Sequence, residues 1–167
     1  FRLPILRCLR PGVAARPVTA TITRIVVHST SNGNRNVTFQ GEVNCAIDPD
    51  LCPDGFAHYD ISRDGTIVQV AEDGSRALHT RSNTTLNVSN SNSVGIELFN
   101  NIGEPYDGAQ MTALIQLMDM LIRLHPTIAR PGFPRVTVPT SPNLTSVFSH
   151  QEVDPTRRLD PVGTFRT

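Results

Sequence analysis

The sequence has no lysine, no net charge and no long apolar run. All 15 of its basic residues are arginine, so every chemistry that uses a lysine amine is excluded. Fifteen acidic residues balance them, and no bulk field favours nucleic acid or an anionic membrane surface. No stretch approaches the ~20 consecutive apolar residues that a membrane span requires. We therefore expect a partner that is recognised locally, with no nucleic acid and no membrane span.

Cysteine is also scarce, and the three in the chain are Cys8, Cys45 and Cys52. Cys45 and Cys52 flank the turn-forming residues Asp48-Pro49-Asp50. One interpretation is a local disulfide between them in an oxidising compartment, with Cys8 left free. The other interpretation is three buried thiols in a reducing cytoplasm.

Short β-branched runs alternate with helical patterns, which predicts an α/β protein. A turn at Asp64-Gly65 predicts a hairpin, and Asp107 with Gln110 resembles a capping box. Pro126 would end the helix that the capping box begins, and the four prolines of 131–142 predict a long surface loop. The predicted strands are Arg24–His28, His58–Ser62, Thr66–Ala71, Val94–Phe99 and Val147–His150, and the predicted helices are Phe39–Ala46 and Gly108–Leu124.

Residues that could bind a metal lie towards the two ends of the chain. His28 closes the apolar run Ile25-Val26-Val27, and His150 precedes Asp160 in the C-terminal segment. Two imidazoles and one carboxylate bind zinc and leave a fourth position open, as catalytic zinc sites do. A zinc hydrolase is therefore the first hypothesis. The alternative is two hydrogen-bonded histidines at strand ends and an ordinary turn aspartate.

Two further residues could serve a zinc hydrolase. Glu97 interrupts an apolar strand, where desolvation should raise the pKa of its carboxyl and suit it to act as a general base. Arg158 precedes Asp160 and could stabilise a developing oxyanion. The competing interpretation is a buried ion pair between Glu97 and Arg158, which is costly without a function.

Five collinear segments together form a recognisable pattern: Ile25–Thr30, His58–Gln69, Leu78–Thr80, Ser93–Leu98 and Ser149 through Pro161. In this order they resemble the type 2 N-acetylmuramoyl-L-alanine amidases. The resemblance spans roughly residues 22 to 165 and implies a central mixed β-sheet flanked by helices, a fold shared with the peptidoglycan recognition proteins. It implies a single zinc amidase domain over 1–167, with residues 1–21 as an N-terminal extension packing on it.

The resemblance also assigns roles to residues. It implies that His28, His150 and Asp160 bind one Zn²⁺ and that Glu97 is the catalytic base. The other branch of the family uses a tyrosine at the position of Ala57.

Other positions differ from the family or have open roles. Arg158 stands where the family typically has lysine, so we expect an altered rate or pH profile. Asn100 is predicted to contact substrate. His79 is predicted either to line the substrate groove or to act as a structural hydrogen-bond donor. His58 is predicted to be a packed or supporting residue of the hairpin.

The implied activity is zinc-dependent hydrolysis of the amide between N-acetylmuramic acid and L-alanine in peptidoglycan or muropeptides. We expect a monomer that is secreted, periplasmic or associated with the cell wall. Three alternatives stay open: a recognition module that binds the same polymer without cutting it, a lytic toxin or phage lysin with the same chemistry, and a zinc peptidase acting elsewhere in the stem peptide.

Overall fold

A mixed sheet of six strands in the order β1-β4-β3-β5-β2-β6 organises the chain. The computed structural model describes residues 3–30, 37–53, 55–101, 104–128 and 146–156. Neighbouring strands are parallel except for the antiparallel pair β3 and β4. The strands are β1 Ile5–Arg7, β2 Arg24–Ser29, β3 Tyr59–Ile61, β4 Ile67–Gln69, β5 Ser93–Leu98 and β6 Val147–Ser149, and the helices are α1 Phe39–Ile47, α2 Gly108–Leu124 and α3 His150–Val153.

This architecture confirms the predicted α/β fold with a central mixed sheet flanked by helices. The structure adds β1 and α3, which are too short to give a periodic signal. His150, predicted to end a strand, is instead the first residue of α3. There Ser149 and Glu152 form a complete capping box, which satisfies the exposed amides of the first turn.

The capping box predicted for α2 is wrong. The Asp107 side chain makes no cap bond and accepts a hydrogen bond from Arg63 Nε at 2.6 Å. The Gln110 amide is fully buried and donates to the carbonyls of Ile61 and Phe99, each at 3.0 Å. Both side chains therefore tie the start of α2 to the sheet, because tertiary partners outcompete the local cap.

The apolar stripe of α2 packs on one face of the sheet. Leu114, Leu117 and Leu121 are fully buried there, whereas Ile115 is 60% exposed. The sheet residues that meet them alternate along the strands, as the two-residue period requires. The sheet side of this core contains Ile25, Val27, Tyr59, Ile61, Val94, Ile96 and Leu98.

The segment before β2 is joined to the body of the protein by β1 and by two buried arginines. The guanidinium of Arg10 donates to the carbonyls of Ala46 at 2.9 Å and Cys52 at 3.0 Å, so it caps the end of α1. It also lies 4.4 Å from the centre of the Phe56 ring. This segment therefore fixes α1 and the loop that follows it.

Within the described residues, no helix combines the length and hydrophobicity that crossing a membrane would need. The predicted proline-rich loop at 131–142, together with Arg158 and Asp160, lies outside the described residues.

Candidate active site

The face of the sheet opposite α2 contains a row of polar side chains. His28 of β2 pairs with Glu97 of β5, and Glu97 pairs with Asp60 of β3. Paired residues on neighbouring strands project from the same face, so these three side chains lie side by side. Glu97 is half-buried, whereas His28 and Asp60 are each only 2% exposed.

The fold brings the two distant predicted ligands together. β6 lies next to β2, and α3 begins directly after β6, so His150 comes to lie beside His28. The centres of the two imidazole rings are 4.4 Å apart. Among the described residues, no three His, Cys, Asp or Glu side chains form a group that could hold a metal. The third predicted ligand, Asp160, lies outside those residues.

A chain of hydrogen bonds assigns Nε2 of His28 as a donor. Ser93 Oγ donates to the carbonyl of Ser89 at 2.5 Å, so it must accept from His79 Nε2, 3.1 Å away. Burial holds the pKa of His79 well below its usual range, so the ring is neutral and its Nδ1 is an acceptor. His28 Nε2, 3.0 Å from that atom, is therefore the donor.

This arrangement suits a metal ligand. With its proton on Nε2, a neutral imidazole of His28 would offer the lone pair of Nδ1 to a metal. Histidines that bind metals generally donate their other ring N–H to a fixed acceptor, which sets the tautomer and the orientation of the ring. His79 supplies that acceptor here. The donor set and the tautomer of His28 therefore fit a zinc ion.

Gly95 makes room for His79. A Cβ at this position would lie 2.5 Å from His79 Cγ, closer than real Cβ contacts allow. The absence of a side chain on β5 thus lets the imidazole lie directly against the sheet. The same residue donates its backbone N–H to His58 Nδ1 at 3.0 Å.

His58 is a packed supporting residue, in agreement with the prediction for it. It is fully buried, and burial together with the charge of Arg16 lowers its pKa to about 4. The Arg16 guanidinium lies 2.8 Å from His58 Nε2 and also donates to the carbonyl of Ser93 at 2.7 Å. Burial lowers the pKa of Arg16 itself to about 10. The N-terminal segment therefore stabilises the strands beneath the site.

A cavity of about 840 Å³ opens over the polar row. Its walls include His28, His150, Glu97 and Asp60 from the sheet side, and Glu42 from α1. His79 also lines it, although it is mostly buried by its bonds to His28 and Ser93. Both roles predicted for His79 are thus compatible with its position.

Asn100 does not line this cavity. Its side-chain amide donates to the carbonyl of Glu104 at 2.9 Å, and its Oδ1 accepts from the backbone N–H of Asn101 at 3.0 Å. These bonds hold the loop after β5 in place. The predicted contact of Asn100 with substrate gains no support from this position.

The structure pairs Cys45 with Cys52 as a disulfide, the first of the two interpretations of these cysteines. Their Cα atoms lie 5.3 Å apart and both residues line the cavity. Cys8 is free and exposed. The bond links the end of α1 to the following loop, the same region that Arg10 holds from the other side.

Sequence reasoning missed Asp60. It is the middle residue of β3 and lines the cavity. The signal was present, because a carboxylate inside a short predicted strand is unusual. Burial, and then the charge of Glu42, raises the pKa of Asp60 to about 8.

Comparison with known proteins agrees with this site. The family model described as N-acetylmuramoyl-L-alanine amidase matches residues 18–163. A selenomethionine derivative of AmpD is 26% identical, with a TM-score of 0.71 over 96% of this chain and 89% of that chain. Among curated proteins, none matches the chain.

Two further solved structures share the fold at lower identity. The N-acetylmuramoyl-L-alanine amidase LysC from Clostridium intestinale is 20% identical, with a TM-score of 0.64 over 98% of this chain and 91% of that chain. The Drosophila peptidoglycan recognition protein SD is 15% identical, with a TM-score of 0.62 over 93% of this chain and 87% of that chain. From the family match over most of its length, the chain belongs to the N-acetylmuramoyl-L-alanine amidases, enzymes that degrade peptidoglycan.

Proposed function

We propose that this amidase is zinc-dependent and cleaves the amide between the lactyl group of N-acetylmuramic acid and L-alanine. The observation that carries the proposal is the convergence of His28 and His150, with Glu97 next to His28 on the same face. His28, His150 and Asp160 would hold the zinc. When bound, zinc supplies a Lewis acid that polarises the amide carbonyl and makes water nucleophilic near neutral pH.

Glu97 would move the proton. As water adds to the carbonyl carbon, the Glu97 carboxylate takes its proton, and the C–O bond forms. When the C–N bond breaks, the carboxylic acid of Glu97 returns that proton to the nitrogen, so L-alanine leaves as a neutral amine. Arg158 would stabilise the oxyanion formed between these steps.

The disulfide supports a proposed location. Structural disulfides persist in oxidising compartments and are rare in reducing ones. The bond between Cys45 and Cys52 therefore favours a secreted, periplasmic or cell-wall-associated enzyme over a cytoplasmic one. We propose that it acts there as a monomer on peptidoglycan or muropeptide fragments.

Recognition without cleavage is the second candidate, because the fold is shared with a peptidoglycan recognition protein. Retention of Glu97 beside His28 favours cleavage. Both candidates bind the same polymer, and a toxin or phage lysin would use the same chemistry in another biological setting. Binding alone therefore cannot separate them.

Mass spectrometry of fragments released from purified cell wall and from a soluble muropeptide tests the proposal. We expect peptides with a free L-alanine amine and glycan with a free lactyl carboxylate. Treatment with a chelator should stop their release, and added zinc should restore it. Binding with no release would favour a recognition module, and cleavage between later residues of the stem would indicate a peptidase.

A further inference from the structure

Arg16 is a buried arginine whose guanidinium binds three separate backbone carbonyls. It is 9% exposed, and its Nε donates to the carbonyl of Asp73 at 2.6 Å. Its Nη1 donates to the carbonyl of Asn90 and its Nη2 to that of Ser93, each at 2.7 Å. A planar guanidinium offers five N–H donors, so one side chain can satisfy all three carbonyls. Arg16 therefore joins the loop after β4 to the segment that leads into β5.

The backbone around Arg16 is itself fixed. The backbone N–H of Arg16 donates to the carbonyl of Gly74 at 3.0 Å, and Ala15 forms an antiparallel bridge with Ser75. Burial lowers the pKa of the guanidinium to about 10, which is still far above neutral pH. Arg16 thus presents a positive charge from a fixed position, and hydrogen bonds from a charged donor are stronger than neutral ones.

Two of the three carbonyls belong to the residues that position His79. The side-chain Oδ1 of Asn90 accepts the backbone N–H of His79 at 3.0 Å and that of Thr80 at 2.9 Å. The hydroxyl of Ser93 accepts from Nε2 of the His79 ring, 3.1 Å away. Asn90 therefore holds the backbone of His79 and Ser93 holds its ring, and Arg16 binds both of these residues.

His79 in turn orients His28. Its Nδ1 accepts the Nε2–H of His28 at 3.0 Å, and both rings are buried. A shift of Asn90 or Ser93 would move the His79 ring and weaken this bond, which sets the direction in which Nδ1 of His28 points. The path from Arg16 to His28 therefore consists of hydrogen bonds between buried or partly buried groups, with no gap between them.

We propose that Arg16 is a positioning residue of the metal site, because it holds Asn90 and Ser93 where they fix His79 against His28. This inference rests on the proposed function for the identity of the metal. Arg16 precedes residues 18–163, which the family model matches, so the family match assigns it no role. The N-terminal segment is thus a working part of the site and not only a support for the sheet.

Two arginines of the same segment provide a test variant and its control. Arg16→Lys keeps the charge, but a single ammonium cannot bind three carbonyls in the directions that the planar fork reaches. Arg10→Lys is the matched control, because Arg10 is also 9% exposed and binds the carbonyls of Ala46 and Cys52, away from His79. Both variants should lower the melting temperature, so only effects on the metal site distinguish them.

Competition with a chelator measures the dissociation constant for zinc. Arg16→Lys should raise it about tenfold, the lower end of the loss expected when the support of a metal-binding histidine is disturbed. Arg10→Lys should leave it within about twofold of the wild-type value. In a His79→Ala background Arg16→Lys should add less than about twofold, because the residue through which it acts is gone. A similar loss in both backgrounds, or in Arg10→Lys, would overturn the inference.

Spectra of ¹⁵N-labelled histidine in the metal-free protein separate this inference from the proposed function. The wild type and Arg10→Lys should show His28 protonated at Nε2, and Arg16→Lys should show a mixture of tautomers. If the wild type binds no zinc but Arg16→Lys alone changes the His28 signals, the proposed function fails and the role of Arg16 stands. If the wild type binds zinc and cleaves muropeptide, while Arg16→Lys changes neither the zinc affinity nor these signals, the proposed function stands and the inference is wrong. Arg16→Gln takes the place of Arg16→Lys, with the same outcomes, if the lysine variant does not fold.

Discussion

The two faces of the same sheet differ in what their buried residues do. On the α2 face, alternate positions of β2, β3 and β5 contain buried apolar side chains that pack with α2 in one core. On the opposite face, the intervening positions of the same strands contain His28, Asp60 and Glu97. Neighbouring residues therefore differ because of the face to which they project.

This difference separates stability from chemistry. The α2 face buries apolar area and gains free energy with few geometric demands. The cavity face buries histidines, a carboxyl group and the guanidinium of Arg16, which are acceptable only where each polar atom has a partner. His79 supplies such a partner for His28, and Ser93 supplies one for His79, whereas Asp60 Oδ2 is left without one among the described residues.

Glu97→Gln on the cavity face should have the largest effect on activity. We expect hydrolysis to fall about 10²- to 10⁴-fold, because the amide of glutamine cannot accept and return a proton. The melting temperature should change little, since the substitution keeps the shape of the side chain. Kinetics on a soluble muropeptide beside a thermal melt would check both. Hydrolysis near the wild-type rate would mean that Glu97 is not the base.

Leu117→Ala is the counterpart on the α2 face. Leu117 is fully buried, so removing its side chain should lower the free energy of unfolding by about 2–5 kcal/mol. Ile115→Ala on the exposed side of the same helix should change it by less than about 0.5 kcal/mol. Urea unfolding measures these values. Well below the melting temperature both variants should keep near wild-type kcat, and a large loss in Leu117→Ala would show that the faces are not separable.

Acid should lower the free energy of unfolding, because His58 on the cavity face is buried in its neutral form. In the folded protein its pKa is about 4, whereas an unfolded histidine has a value near 6.5. Between these pH values His58 is protonated in the unfolded chain but not in the folded protein. The free energy of unfolding therefore falls as the pH drops from about 6.5 to about 4. The difference corresponds to about 3 kcal/mol.

The measurement for His58 compares unfolding free energies of the wild type and His58→Gln at pH 7 and pH 4. Asp60, whose raised pKa has the opposite effect on stability over this range, is present in both proteins and cancels. The wild type should lose about 3 kcal/mol more than the variant on acidification. Equal losses would contradict the assignment of a neutral, buried His58.

Replacing His79 should weaken metal binding without removing a ligand. Loss of a residue that orients a metal-binding histidine typically reduces affinity about 10- to 100-fold, and we expect this for His79→Ala. His79→Gln should recover part of the affinity, because its carbonyl can accept the N–H of His28. Competition with a zinc chelator measures the dissociation constants, and ¹⁵N spectra of labelled histidine report the tautomer of His28. Unchanged affinity in His79→Ala would contradict the role.

Much of this fold follows from local pattern. The two-residue alternation of the hairpin and the helical period of α2 predicted their positions within a few residues, because each element buries one face. The capping box predicted at Asp107 and Gln110 does not form. Asp107 accepts a hydrogen bond from Arg63 instead, and Gln110 donates to backbone carbonyls at the ends of the strands. Local signals do not report such competition.

The site was predicted only in part. His28, His150 and Glu97 were found as unusual residues in or beside apolar strands, and the resemblance to the family assigned a role to each. The pairing of His79 with Ser93, and the space that Gly95 leaves, depend on strands distant in sequence and have no local signature. Asp60 did have one, since a charged residue alternates with Tyr59 and Ile61 on a buried strand.

The central claim is that the cavity face holds one zinc ion between residues from the two ends of the chain. Elemental analysis of the purified protein tests it most directly, with His28→Ala and His150→Ala as variants. His125→Ala is the control, because His125 bonds to Asp73 and does not line the cavity. We predict one zinc per chain in the wild type and in His125→Ala, and almost none in the other two. Full zinc content in folded His28→Ala or His150→Ala, or none in the wild type supplied with zinc, would contradict the account.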